Sequence, residues 1–403
     1  MPSFAKTGGP AMRTGETINL LRRRGDHRVT FVELFFDLVF VFAVTQLSHL
    51  LLEHFDLAGV FETALLLCAV WWLWVYTAWA TNWLDPQTTP VRLMLFAMML
   101  GGLVFSMSIP QAFGSRGLAF AGAYVAMQIG RCLFTLWALR HYNRATFRSF
   151  QRILSWLACA SVFWLAGAMV DGEARYALWL AALVIDYLAP AAGYWTPGLS
   201  RSSTADWDIQ GGHMAERCGL FTIIALGESI LVTGVTFGAM AWTPVTSAAF
   251  VVAFVGTVAM WWIYYNIGAE RGSDAMAHAA DPGRLGRLAY TYIHLLPVAG
   301  IILAAVGDEL VLAHPEGHTD FKTAATLLAG PALFLIGNIL FKHALVVSRT
   351  LSHYVGLALL AVLSPLALVV SPLVFSAAMT AALVVVAVWE TRSFARGKAP
   401  AVT

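Results

Sequence analysis

Long apolar stretches alternate with short polar segments along almost the whole chain. A helix that crosses the hydrocarbon core of a membrane needs roughly 20 mostly apolar residues. Stretches of about that length lie near residues 29–52, 58–80, 92–110, 117–139, 152–170, 175–195, 216–238, 244–267, 287–307, 322–345, 351–370 and 372–391. The segments between them carry proline, glycine or clustered charge. The pattern predicts an all-α, polytopic membrane protein with about twelve transmembrane helices.

Composition supports lipid as the solvent of this chain. Of its 403 residues, 59% are hydrophobic and only 12% are charged, whereas soluble domains carry roughly 25% charged residues. A net charge of +2 gives no reason to expect nucleic-acid binding. The four cysteines are scattered singly through apolar stretches, so they are interpreted as packing residues. The expected partners are therefore the lipid bilayer and a small solute or ion; no cofactor is predicted.

The positions of lysine and arginine predict the orientation. With the N-terminus inside, 21 of the 25 lysines and arginines fall in inner segments, while Arg116, Arg175 and Lys322 fall in outer loops. Cytoplasmic loops are enriched in these residues. Residues 1–28 are then a basic cytoplasmic segment, and residues 392–403 are a cytoplasmic tail.

Several landmarks of the first half recur in the second. The run Trp-Trp-Leu-Trp-Val-Tyr at 71–76 is matched by Trp-Trp-Ile-Tyr-Tyr at 261–265, and Asp37 is matched by Glu228. The order of landmarks is kept, which favours a duplication. The sequence therefore predicts two parallel six-helix repeats, at 29–200 and 213–391, joined by a cytoplasmic linker at 201–212. Sites in such folds often lie between the repeats near mid-membrane.

Five ionisable residues lie within the predicted spans, where each uncompensated charge costs about 2.5–3.5 kcal/mol. They are Glu33, Asp37, Arg131, Asp186 and Glu228. Arg131 is the only cation in this set, and it is the expected partner of one carboxylate. At least two acids would then be protonated or would bind a cation. We predict that these residues form an ion or proton site, although each could instead join helices in a purely structural contact.

Helical spacing groups further residues with these acids. Glu33 and Asp37 share one face of the first span, with Ser48 close to the same line. In the seventh span a polar stripe runs from the cytoplasmic interface to mid-membrane; it contains His213, Arg217 and Glu228. We predict Ser48, His213, Glu216, Arg217 and His294 as pathway or supporting residues.

A metal site is the less favoured interpretation of the loop before the seventh span. Asp206, Asp208, His213 and Glu216 offer metal-binding side chains, but their spacing matches no strong metal motif. Acidic residues beside a helix start also have an ordinary capping role. No metal is predicted.

Two stretches resemble the low temperature requirement A (LtrA) family of bacterial membrane proteins. They are residues 29–43, with Val-Thr-Phe-Val-Glu-Leu-Phe-Phe-Asp, and residues 213–230, with Glu-Arg and Leu-Gly-Glu-Ser; residues 292–300 also fit. The resemblance implies a location in the bacterial cytoplasmic membrane. It places Glu33, Asp37, His213, Glu216, Arg217, Glu228 and His294 on the family's motif positions. The family's name records a need for growth in the cold and describes no chemistry.

Three functions compete at this stage. The favoured one is a transporter or channel for a small solute or ion, with Asp37 and Glu228 as proton or cation sites between the two halves. Arg131 or Arg217 would balance the charge of one of them. The first alternative is an intramembrane enzyme in which acids in an aromatic pocket act on a lipid or isoprenoid; the lack of any catalytic signature disfavours it, and no catalytic residue is predicted. The second alternative is a sensory or scaffold protein. The oligomeric state is left open.

Overall fold

The computed structural model describes residues 20–22, 28–202, 209–266, 281–345 and 350–398. The predicted N-terminal segment, the linker and the C-terminal tail lie partly outside these ranges. Asp206 and Asp208 of the possible metal loop also lie outside them.

Within the described residues, twelve helices are long and apolar enough to cross a membrane. In chain order they are α1 (Phe31–Glu53), α2 (Leu57–Trp83), α3 (Thr89–Ser108, followed by a 3₁₀ turn, Ile109–Gln111), α4 (Gly117–Leu139), α5 (Arg144–Ala168), α6 (Glu173–Ala191), α7 (Gly211–Ala239), α8 (Pro244–Tyr264), α9 (Gly283–Ala313), α10 (Phe321–Ala344), α11 (Leu351–Leu363, followed by a 3₁₀ turn, Ser364–Leu368) and α12 (Pro372–Lys398). The prediction of an all-α membrane protein with about twelve spans is confirmed. The duplication and the orientation in the membrane stay predictions.

Polar residues at the helix starts account for several of these boundaries. The side chain of Asp56 accepts a hydrogen bond from the Gly59 amide at the start of α2. Asp320 does the same for the Thr323 amide at the start of α10. Such N-caps supply acceptors for amides that have no partner inside the helix. At the start of α1, Thr30 and Glu33 form a capping box, so Glu33 both caps the helix and enters the site described below.

Two helices differ from their predicted bounds in ways that matter. Helix α5 begins eight residues before the predicted 152, because Asn143 caps it and its first turns extend beyond the apolar stretch. Helix α9 continues past the predicted end at 307 as far as Ala313. Asp308 and Glu309, which the prediction left in an outer loop, are therefore part of a span.

Helix α1 lies among its neighbours rather than at the periphery. It packs against α2, α3, α7 and α9, while α9 also runs along α7 and α10. Glycines bring α9 and α10 close together: a Cβ on Gly300 would lie 2.5 Å from the backbone nitrogen of Phe334. Small residues of this kind commonly let membrane helices approach closely. The interface between α1, α7 and α9 contains most of the predicted site residues.

The first part of α9 is not regular. Residues Gly286–Ile293 form a π-helical segment, and His294 follows it at once. Segments of this kind leave some backbone groups open to other partners and often occur at functional sites. Here the carbonyl oxygen of Thr291 accepts a hydrogen bond from the Trp71 indole, at 2.7 Å. The irregular segment thus connects α9 to the buried tryptophans of α2.

Candidate functional site

The part of the site near the start of α1 is called inner, and the part near its end outer, after the predicted orientation. The inner part centres on the fully buried carboxylate of Glu33. Its Oε2 accepts hydrogen bonds from Arg22 Nη2 at 3.0 Å and from the Thr30 amide and hydroxyl, both at 2.9 Å. Its Oε1 lies 2.8 Å from His213 Nε2 and 3.9 Å from Arg217 Nη1. Glu33 is thus shielded from solvent although it lies in the first turn of α1. The residue joins the segment before α1 to the start of α7.

Asp37 lies one turn deeper and forms the second ion pair. Its Oδ1 accepts from Arg217 Nη2 and from the Trp74 indole, each at 2.8 Å. The Arg217 guanidinium also lies over the Trp74 ring, 5.6 Å from its centroid. Asp37 Oδ2 and the Nε and Nη1 of Arg217 have no hydrogen-bond partner. The pair is neutral overall but leaves donors and an acceptor available to a small polar molecule.

The hydrogen bonds around His213 identify its tautomer. The Gln210 amide donates to Asn82 Oδ1 at 2.9 Å, so the other amide atom of Asn82 is the Nδ2 donor. That Nδ2 lies 3.2 Å from His213 Nδ1, which must therefore accept. The ring proton is then on Nε2 and points at Glu33. His213 is neutral here, and the charges of Glu33 and Asp37 are balanced by Arg22 and Arg217.

His294 lies beyond this cluster, between α7, α8 and α9. Its Nε2 is 3.1 Å from the Thr222 hydroxyl and 3.2 Å from the Tyr264 hydroxyl, while its Nδ1 has no partner. The ring stacks on Trp71 with a centroid distance of 6.0 Å. The imidazole is fully buried, and one of its nitrogens remains open to a proton donor or acceptor.

Glu228 occupies the outer half of the α1–α7 interface. Its Oε2 accepts from the Thr45 hydroxyl at 2.6 Å, and its Oε1 has no partner. Thr45 is eight residues beyond Asp37, which corresponds to about 12 Å along α1. Asp37 and Glu228 share one interface but do not converge on one locus. The expectation of a single shared site is corrected by this separation.

Sequence reasoning missed Asp308, an acid that contacts the neighbour of Glu228 on α7. Asp308 on α9 accepts a hydrogen bond from Ser229 at 3.3 Å, and Ser229 lies 2.8 Å from the Thr257 hydroxyl on α8. Asp308 was overlooked because the predicted ninth span ended at residue 307. The Asp-Glu pair inside a long apolar run was the signal that would have identified it.

Arg131 and Asp186 form a separate cluster inside the first half. Asp186 Oδ2 accepts from Tyr124 at 2.9 Å and from Trp164 at 3.2 Å. Arg131 donates to Gln128, and Gln128 donates to Tyr124, so the two charges are linked only through neutral side chains. The expectation that Arg131 pairs directly with a carboxylate is wrong. Arg217 is the partner of Asp37, whereas the Arg131 guanidinium donates to Leu73 and Thr77 on α2.

Two predicted supporting residues lie outside the ion-paired cluster of Glu33 and Asp37 and outside the cluster of Arg131 and Asp186. The Ser48 hydroxyl donates to the carbonyl of Val44 in its own helix, at 3.2 Å. Glu216 is exposed, and its Oε2 accepts from the Val29 amide at 3.2 Å. Glu216 thus binds the backbone just before α1, whereas the Ser48 hydroxyl bonds only to a carbonyl of its own helix.

A cavity of about 40 Å³ lies beside Arg131, with lining side chains from α2, α4, α5 and α9. Five of its fourteen lining residues are aromatic, namely Tyr76, Trp79, Trp83, Phe150 and Tyr194. None of its lining residues is an aspartate or a glutamate. The acids of the α1–α7–α9 interface are therefore outside this aromatic cavity.

Comparison with known proteins agrees with the sequence resemblance. Residues 28–388 match the family described as bacterial low temperature requirement A protein (LtrA). The chain is also 42% identical over 365 residues to an uncharacterised protein of Rhizobium meliloti strain 1021, and the match covers 90% of this chain and 89% of that protein. No solved structure matches the chain. The chain therefore belongs to the bacterial low temperature requirement A family.

Proposed function

We propose that this LtrA protein is a transporter or channel for a small solute or ion, in which protons move along buried ionisable side chains between α1, α7 and α9. One observation carries the proposal. Six buried atoms of ionisable side chains without a hydrogen-bond partner lie on these three helices; they are Asp37 Oδ2, Arg217 Nε and Nη1, Glu228 Oε1, His294 Nδ1 and Glu309 Oε2. Thr63, Trp72 and Ser106 on α2 and α3 also have such an atom, but their side chains do not carry a charge.

Such atoms are costly where they lie. The great majority of buried polar groups in proteins are paired, and within a membrane each unpaired group costs several kcal/mol. Water molecules or the polar groups of a transported solute would satisfy them. A purely structural interface would gain more from complete pairing, as the Asp186 cluster achieves with Tyr124 and Trp164.

The order of the groups supports a route across the membrane. Along α7, His213, Arg217, Thr222 and Glu228 each belong to a polar contact that includes α1 or α9. Successive residues in this series are four to six positions apart, or about 6–9 Å along the helix. Chains of water molecules would link these hydroxyl, imidazole and carboxyl groups, because each gap is longer than one hydrogen bond.

The enzyme alternative finds less support. Protonation of an alkene would require an acid facing an aromatic pocket, and the aromatic cavity beside Arg131 has no acid in its lining. The scaffold alternative gives no reason for ionisable groups at mid-membrane, where they most often mark ion or proton pathways.

Proton flux into proteoliposomes tests the proposal. The purified protein is reconstituted with a pH-sensitive dye inside, and a membrane potential is imposed with potassium and valinomycin. Flux is measured in the presence of sodium, potassium and magnesium ions and a mixture of amino acids and sugars. We expect flux above that of empty liposomes, and we expect Asp37→Asn and Glu228→Gln to reduce it at least tenfold (about 1.4 kcal/mol).

Asp186→Asn is the matched control, because Asp186 is an equally buried acid outside the α1–α7–α9 interface. It is expected to retain the flux of the unmodified protein. Absence of flux in every condition from a folded, correctly inserted protein would contradict the proposal. Equal flux in folded Asp37→Asn and Glu228→Gln proteins would contradict the assignment of the route.

A further inference from the structure

Three acids lie near one another in the outer half of the second set of helices. Glu228 is on α7, and Asp308 and Glu309 are consecutive residues on α9. Ser229, the neighbour of Glu228, donates to Asp308, which brings the two helices together at this level. Glu228 and Glu309 each have one buried carboxyl oxygen without a hydrogen-bond partner. Neither Asp308 nor Glu309 is an expected site residue from the sequence.

The carboxyl of Glu228 is the central and least satisfied member. The residue is 1% exposed, and its Oε1 has no hydrogen-bond partner. The only hydrogen bond to its carboxyl within the described residues comes from Thr45. Asp37, by contrast, has an arginine in direct contact. A negative charge at Glu228 therefore lacks the compensation that the inner acids have.

The groups that face Glu228 come from each helix packed around it. Helix α1 contributes Thr45 and the exposed His49, α8 contributes Thr257 through Ser229, and α9 contributes Asp308 and Glu309. The nearest lysine, Lys322 at the start of α10, donates to the carbonyl of Leu52 and makes no ion pair with these acids in the described part of the chain. The neighbourhood thus offers hydroxyls, two further carboxyls and the exposed His49 imidazole, but no ion pair to Glu228 among the described residues.

We infer that Glu228, together with Asp308 and Glu309, forms an outer proton-binding site that is chemically distinct from the ion-paired inner cluster. The role of this site in transport rests on the proposed function, because the site would bind the proton that the pathway moves. Proton binding removes the uncompensated charge and supplies Oε1 with a hydrogen that water or a facing carboxylate can accept. Among the described residues, no three His, Cys, Asp or Glu side chains form a group suited to a metal ion.

The inner and outer clusters would then have different roles. The inner acids keep fixed counterions, because removing one member of a buried pair is strongly unfavourable. The outer acids gain and lose a proton, since a like charge beside a carboxyl favours its neutral form. The exposed imidazole of His49 and the half-buried Glu309 lie between Glu228 and the outer end of the bundle, where a proton would enter or leave.

Labelling with dicyclohexylcarbodiimide tests this site without any transport measurement. This apolar reagent modifies protonated carboxyl groups, and the modified residue is identified by mass spectrometry of the full-length protein in liposomes. We expect Glu228 to be labelled in acidic medium and the labelling to fall about tenfold per pH unit above its midpoint. Glu309→Gln removes the neighbouring acid, so less labelling of Glu228 is expected at the same pH.

Infrared difference spectra between acidic and alkaline media provide a second readout that does not need reagent access. The component of the protonated-carboxyl band that belongs to Glu228 is expected in the unmodified protein and in Asp186→Asn, and it is expected to be lost in Glu228→Gln. No Glu228 signal in either measurement, or a signal that does not change with pH, would overturn the inference. Protection of Glu228 by sodium ions at constant pH and ionic strength would overturn the choice of the proton.

The outcomes separate the two proposals. A pH-dependent Glu228 signal without proton flux in liposomes leaves the site in place and removes the transport function. Flux that survives while Glu228 gives no signal retains transport and removes this site from it.

Discussion

Arg217 on α7 donates a hydrogen bond from Nη2 to Oδ1 of Asp37 on α1, across 2.8 Å, and neither side chain is exposed. The two residues are 180 positions apart in the sequence. Their contact joins the first helix of each predicted repeat through a buried ion pair.

Removal of either partner should destabilise the protein. Asp37→Asn leaves the Arg217 guanidinium with only the more distant Glu33 carboxylate, so we expect a loss of about 3–5 kcal/mol of unfolding free energy. Denaturant unfolding in detergent, followed by tryptophan fluorescence, measures this loss. Trp74, which donates to the same Asp37 oxygen, lies beside the change.

The double variant Asp37→Asn with Arg217→Gln controls for lost charge. Because it removes both charges, we expect it to be more stable than the sum of the single effects predicts, by about 1–3 kcal/mol. Strict additivity would show that the two residues do not interact in solution.

Glycine packing between α9 and α10 should be sensitive to a single methyl group. Gly300→Ala would place its Cβ 2.5 Å from the Phe334 nitrogen, and Gly330→Ala would place one 2.7 Å from the Ala304 nitrogen. These neighbours are backbone atoms that cannot rotate away. We expect a loss of about 1–3 kcal/mol or more for each variant, visible as aggregation on size-exclusion chromatography in detergent.

Gly227→Ala on α7 is the matched control, since no atom lies within 4 Å of its added Cβ. A membrane helix should accept this change with no loss of monodisperse protein. If all three variants behaved alike, the close approach of α9 and α10 would be contradicted.

Asp186 should prove structural. Asp186→Asn keeps an acceptor oxygen for Tyr124 or Trp164 but removes a charge near Arg131, so we expect a stability loss of about 1–3 kcal/mol. Its proton flux should equal that of the unmodified protein once the amount of folded protein is matched. A selective loss of flux with full stability would instead place Asp186 on the route.

Cysteine labelling should decide the orientation predicted from lysine and arginine. In a Cys159→Ser background, Glu316→Cys lies in the predicted outer loop and His141→Cys in a predicted inner one; both positions are exposed. A membrane-impermeant maleimide added to intact cells should label the first and not the second. Permeabilised cells should show label at both, and the reverse pattern in intact cells would invert the topology.

The sequence was sufficient for the number of helices because each span is set locally by its apolar length. It also identified most of the ionisable residues at the α1–α7–α9 interface, since charge within a span is conspicuous by itself. The choice of ion-pair partner, by contrast, depends on contacts between helices that are far apart in the sequence. The sequence offered both Arg131 and Arg217 as counterions, and the packing of α7 on α1 selects Arg217 as the partner of Asp37.

The outer acids show a second limit of sequence analysis. Asp308 and Glu309 were excluded from the ninth span because a boundary drawn by hydropathy stops at charge. In the structure, hydroxyls on α7 and α8 provide Asp308 with a polar neighbourhood, so α9 continues to Ala313. Hydropathy describes the average environment of a segment and contains no information about a hydrogen bond from a neighbouring helix.

The burial of Glu33 has a consequence for how the chain is made. Its partners His213 and Arg217 are synthesised about 180 residues after it, and at about 5–20 residues per second that is a delay of roughly 10–40 s. During this interval the newly made first helix holds two acids, and of the cationic partners that the described residues provide for Glu33, only Arg22 has been synthesised. The ribosome-bound intermediate must therefore keep this helix near the translocation channel, or neutralise it with protons from the medium, until the seventh helix arrives.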